Sequence, residues 1–168
     1  MRQNKLLALV LALLTALLIL TASIAVPILF RPFYYLQIGP LGLEASTGLT
    51  REEIITAYDE TVDFCIGLQQ EFSTGSLAWS ESGRDHFVDV RGLFQLDLAV
   101  AALSALALAA WLIVKRKVAV RPFRFRGHGP GFWGCAGLGA LFLVVGTLAT
   151  TDFQRAFVLF HALFFPGK

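Results

Sequence analysis

Three uncharged apolar runs organise this chain. Leu6 to Phe30 contains no charged residue, and Leu98–Val114 and Gly131–Thr151 repeat the pattern. A bilayer core about 30 Å thick needs about 20 apolar residues of helix, so the runs predict three transmembrane helices, with Leu93 and Phe94 extending the second across Asp97. The first run is far longer than the apolar core of a signal peptide, roughly 7–15 residues. Apolar residues resume straight after Thr21–Ala22–Ser23, so it reads as an uncleaved span in which Pro27 marks a kink or stop. Between the first two runs the pattern becomes amphipathic. Thr50-x-x-Glu53 is a capping box, and the helix it opens is predicted to reach about Gln70. Its apolar stripe is Ile54, Tyr58, Val62, Cys65 and Leu68, and Glu52, Glu53, Asp59, Glu60 and Asp63 are expected on a solvated face. Ser73 to Gly83 reads as an exposed loop carrying Trp79.

Composition agrees with the pattern. The chain is 56% hydrophobic and 15% charged, against roughly 25% charged in ordinary soluble domains. The class is therefore an all-α integral membrane protein, and a soluble enzyme is excluded. Two cysteines rule out a disulfide scaffold. Lys115, Arg116, Lys117, Arg121, Arg124 and Arg126 crowd one acid-free loop, and Arg2 and Lys5 precede the first span, which places both on the cytoplasmic side. That basic loop is read as a topology determinant beside anionic lipid headgroups, and no nucleic-acid partner is expected. The resulting organisation is a first span in residues 1–30, an extracytoplasmic amphipathic domain in 31–92, a second span in 93–114, a cytoplasmic basic loop in 115–130, a third span in 131–152 and an outer interfacial segment in 153–168. Small residues recur every four positions at Ala101, Ala105 and Ala109 and at Gly131, Cys135 and Gly139, spacings that favour close helix packing. Phe33, Tyr34 and Tyr35 are expected as interfacial anchors.

Candidate chemistry is confined to a few residues. His86 and Asp89 in Arg84–Asp85–His86–Phe87–Val88–Asp89–Val90–Arg91 would lie one helical turn apart on one face. A carboxylate there would fix the tautomer of the imidazole and raise its basicity. His161 follows the third span, so the predicted topology puts it on the same side as His86. His128, between glycines in the basic loop, is expected to be inert. Cys65 falls on an apolar stripe with no His beside it, a weak case for a nucleophile, and no Ser sits in a G-x-S-x-G motif. Arg84, Arg91 and Arg155 are placed to hold lipid phosphates or to snorkel at the interface, and Tyr34 joins Arg91 and Arg155 as a candidate substrate contact. Three readings stay open on these residues: an acid–base membrane enzyme without cofactor, a metallohydrolase with zinc on His86, His161 and a carboxylate, and a non-enzymatic membrane scaffold.

His86–Phe87-x-Asp89–Val90–Arg91-x-Leu93–Phe94 and Phe160–His161-x-x-Phe164–Phe165–Pro166–Gly167, together with Thr47–Gly48–Leu49–Thr50-x-Glu52–Glu53 and Tyr58, resemble the bacterial lipoprotein intramolecular transacylase family. The resemblance runs from the first span to the C-terminus. It implies a multi-pass protein of the bacterial cell membrane with a site facing outward and diacylglyceryl-modified lipoproteins as substrate. The implied reaction moves the sn-2 acyl chain of the modified cysteine onto that cysteine's own α-amine, giving a lyso-form N-acyl lipoprotein. His86 and His161 would be the catalytic pair, with Asp89 orienting His86. Family members usually continue past Phe–Phe–Pro–Gly into a fourth helix, which is absent from this chain.

Overall fold

A computed structural model describes residues 2–164. Its elements in chain order are β1 (Arg2–Asn4), α1 (Lys5–Leu29), α2 (Pro32–Tyr35), α3 (Leu43–Thr47), α4 (Arg51–Ile66), α5 (Glu81–Val114), β2 (Val120–Pro122), α6 (Pro130–Thr151) and α7 (Phe153–Phe164). Helices α1, α5 and α6 are each long and apolar enough to cross a membrane. Pro27 does not stop α1, which continues to Leu29. At about 1.5 Å per residue, the 34 residues of α5 make a rod of about 50 Å, well beyond the thickness of a bilayer core. The chain divides into two compact units, residues 1–20 with 102–168, and residues 21–101.

In the first unit, the buried positions are Leu11 on α1, Ser104 on α5 and Gly134 on α6. Gly134 is a close approach: a Cβ there would run into the carbonyl of Ala12 and stand 3.3 Å from Cβ of Thr15. The inward rows therefore differ from the small-residue rows expected from spacing. Ala105, Ala109, Cys135 and Gly139 are exposed, and nothing lies within 4 Å of a Cβ built on Gly131 or Gly139. The reason is phase: a side chain one position away on a 3.6-residue helix points about 100° elsewhere. A short parallel clip joins the start of the chain to the connection between α5 and α6, with Arg2, Gln3 and Asn4 of β1 paired to Val120, Arg121 and Pro122 of β2.

The second unit is built on α4. Its capping box is complete: Glu53 N–H donates to the Thr50 hydroxyl, and Thr50 N–H donates back to the Glu53 carboxylate at 2.9 Å. Ile54, Val62 and Cys65 are buried as the stripe requires, and Phe64 joins them. The helix stops at Ile66, four residues short of the sequence estimate. Gly67 adopts φ 88°, Gly67 N–H donates to Phe64 O, and Leu68 N–H donates to Asp63 O at 2.8 Å, a left-handed closure that satisfies the last carbonyls. Leu68 consequently leaves the stripe and is 75% exposed.

The acids of α4 are not merely a solvated face. Arg31 pairs with Asp59 at 3.1 Å and also with Asp63, and the Tyr35 hydroxyl donates to Asp59 at 2.7 Å. Tyr34 stacks on Tyr58 with centroids 3.9 Å apart. The Phe33–Tyr34–Tyr35 group thus fastens the end of α1 to α4 through its two tyrosines, and only Phe33 keeps the exposure of a lipid anchor, at 52%. The hydrogen bond that Arg31 donates to Asp63, with the charge of Asp59 behind it, raises the Arg31 guanidinium above its ordinary value. Glu60 accepts from the Ser73 hydroxyl and from Gly75 N–H and is held below the usual carboxylate range by both.

A carboxylate lowered on folding adds stability that is present above its unfolded pKa, about 4.3, and lost as pH falls through the folded value. Acid unfolding followed by circular dichroism should therefore have a limb below about pH 4.3 that Glu60→Gln makes shallower. An unchanged limb would show that the Ser73–Gly75 anchor adds nothing.

Candidate active site

His86 and Asp89 stand one turn apart on the N-terminal third of α5, with the His86 side exposed and Asp89 half-buried. What places them is aromatic packing. Phe64, Cys65 and Phe72 form the buried cluster of this unit, and Phe87, Val90 and Phe94 of α5 pack against it. Phe72 is the hub: it stacks on Phe87 at 5.1 Å and meets Phe64 and Trp79 edge-on at 5.3 and 5.6 Å. Burying a large apolar side chain contributes about 1.5–3 kcal/mol, so this cluster fixes the rotation of α5 and leaves His86, next to Phe87, on the open side. The His86 and Phe87 rings are 5.9 Å apart and tilted by 68°.

The remaining candidates have definite positions. Arg91 donates to Gln69 O at 3.2 Å and lies over the Phe64 ring at 4.7 Å, so it braces the turn after α4. Cys65 is 1% exposed, and burial pushes its thiol up to about 11 against the opposing pull of Arg91. Such a thiol is a poor nucleophile at neutral pH.

His161 belongs to the first unit, on α7. It is half-buried and stacks on Phe157 one turn back, with centroids 5.7 Å apart. Asp152 ends α6 and caps α7: its carboxylate accepts from Arg155 N–H at 2.9 Å, and its carbonyl from Ala156 N–H. This makes the start of α7 a fixed corner. Between α6 and α7 lies a cavity of about 550 Å³ whose walls are Leu148, Leu159, Phe160 and Leu163, with Asp152 and Arg155 among its lining. The Phe165–Pro166–Gly167 part of the sequence motif lies outside the described residues. His128 packs on Phe132 with its ring 4.2 Å away, and its Nδ1 is 2.9 Å from Arg126 O, a structural role. Among the described residues there is no cluster of three or more His, Cys, Asp or Glu side chains shaped to hold a metal.

Three long apolar helices and a packed amphipathic unit define an all-α integral membrane protein. The family model for the lipoprotein intramolecular transacylase Lit matches residues 9–168. The chain belongs to that family and is an integral membrane acyltransferase. Its fold resembles the in meso structure of the membrane integral lipoprotein intramolecular transacylase Lit from Bacillus cereus, with a TM-score of 0.68 at 20% identity over 97% of this chain and 72% of that one. No curated protein matches the chain.

Proposed function

We propose that this chain moves the sn-2 acyl chain of a diacylglyceryl-modified lipoprotein cysteine onto that cysteine's own α-amine, freeing the sn-2 hydroxyl of the glyceryl group, which stays on the cysteine sulfur as the lyso form. The reaction is an aminolysis. The amine nitrogen forms a bond to the ester carbonyl carbon, the carbon–oxygen ester bond breaks, and the amine proton ends on the departing alkoxide. Neutral imidazole suits the proton removal because its ordinary pKa, about 6.5, lies near working pH. In this reading His86, oriented by Asp89, is the base, and His161 protonates the leaving alkoxide or donates to the oxyanion. Amine and ester belong to one substrate, so less of the positioning falls to the protein. The exposed His86 with Asp89 one turn along the same rigid helix is the observation that carries this reading. The apolar cavity beside α7 has the character needed for an acyl chain, with Arg155 at its side as a candidate substrate contact.

The test is to incubate a diacylglyceryl lipopeptide bearing a free amine with the purified protein. Mass is conserved in this isomerisation, so fragmentation must locate the acyl chain. Its appearance on nitrogen supports the proposal, and a substrate that stays O-acylated, or loses a fatty acid to water, overturns it.

The proposed site faces outward. A cysteine introduced at Ser76 should therefore react with a membrane-impermeant thiol reagent on intact cells, and one at Gly127 should not. The opposite labelling pattern would reverse the orientation and with it the side of the membrane on which the chemistry occurs.

A further inference from the structure

The ends of all three apolar helices in the first unit are gathered by the β1–β2 clip: α1 starts just after β1, and β2 lies in the connection between α5 and α6. Beside the clip is a cavity of about 710 Å³, lined by Trp111, Lys115, Arg116, Arg121 and Arg124 and by the start of α6 at Gly129 and Pro130. Four cations from the turn after α5, from β2 and from the segment that follows it thus share one hollow.

Nothing in the unit balances them. Its one acidic side chain among the described residues is Asp152, at the opposite end of the 22-residue α6. That is about 30 Å along the helix, several Debye lengths at physiological salt. The hollow is also partly prearranged. The Arg124 guanidinium is held in place by donating through Nε and Nη2 to Gly127 O at 3.0 and 2.6 Å. The Gly129 N-cap of α6 adds no side chain to the hollow.

We infer that this hollow binds the headgroup phosphate of an anionic phospholipid. Four cations suit phosphate oxygens. The choice of a lipid follows from the surroundings. The hollow opens beside the last turn of α5, where Trp111 has the amphipathic ring typical of a membrane interface. Leu112 and Ile113 on that turn are 58% and 71% exposed, an apolar track along which acyl chains can run. The hollow shares no residue with the candidate site at His86 and His161 and does not depend on the acyl-transfer reading.

Native mass spectrometry of the full chain in detergent micelles tests it. The micelles are doped with phosphatidylglycerol, with phosphatidylcholine of the same acyl chains, or with phosphatidylglycerol plus millimolar inorganic phosphate. The wild type should retain phosphatidylglycerol in preference to phosphatidylcholine, and inorganic phosphate should not displace it. Each surface cation is worth about fivefold in affinity for anionic lipid, so R116Q/R121Q should weaken retention roughly 25-fold. R116K/R121K keeps both charges and should retain the lipid. The milder K115Q, which leaves every arginine in place, should lose about fivefold. Equal retention of the two lipids, or undiminished retention in both glutamine-bearing variants, overturns the site. Displacement by inorganic phosphate would overturn the lipid assignment in favour of a soluble anion.

Discussion

His86→Ala and His161→Ala should each lose most acyl-migration activity while inserting and folding normally. General acid–base assistance is worth about 10²–10⁴-fold, or roughly 3–5 kcal/mol of barrier. Folding should survive because the imidazole of His86 is exposed and the hydrophobic cluster that sets α5 uses Phe87, Val90 and Phe94 instead. Asp89→Asn should cost less than either, since it perturbs orientation and basicity but keeps the imidazole. Cys65→Ala should leave turnover nearly unchanged, because the thiol is buried and held up to about 11. If the two histidines act as a unit, the double alanine variant should be little worse than either single one. The readout is the lipopeptide conversion with fragmentation described above. Near-normal turnover in His86→Ala would remove the base from the mechanism, and near-normal turnover in both variants would remove the site.

Gly134→Ala should be the most damaging glycine-to-alanine change in the described helices. Its Cβ would be driven into the backbone of Ala12, which cannot swing aside as the tip of a side chain would. Overpacking of this kind costs about 1–3 kcal/mol. Gly137→Ala, one turn further along α6, meets nothing within 4 Å and is the matched control. Alanine there should be neutral or slightly stabilising, since glycine is the poorer helix former by about 1 kcal/mol. Thermal unfolding of the two variants in the same detergent should separate them clearly. Equal midpoints would mean that α1 and α6 do not meet at Gly134.

The parts of this protein that obey a simple period were legible in its sequence. The three apolar helices follow from uninterrupted hydrophobic runs, and the capping box at Thr50 and Glu53 from a four-residue signature. Family membership followed from the residues around His86 and His161. What escaped notice depends on partners far apart in the chain. Nothing near Arg31 announces Asp59 and Asp63 as its partners, although their spacing of four residues puts both on one helix face. Phe72 sits in a loop with no periodicity, yet it organises the aromatic cluster. The β1–β2 clip joins residues more than a hundred positions apart, a pairing that no local propensity can reveal. Leu68 was misassigned for the opposite reason. The helical period continued in the sequence, but Gly67 ended the helix first.

The unbroken length of α5 makes it a gauge as well as a span. His86 and Asp89 are carried on the same helix as Phe87, Val90 and Phe94, which pack on the cluster of Phe64, Cys65 and Phe72, so their height and bearing relative to that cluster are set by residue count alone. One residue added between Asp89 and Val90 would lift the pair by about 1.5 Å and turn it by about 100° relative to Val90 and Phe94. In the proposed reaction the acyl ester would then meet a different side of the helix. On that proposal the number of residues in this interval matters as much as the imidazole itself.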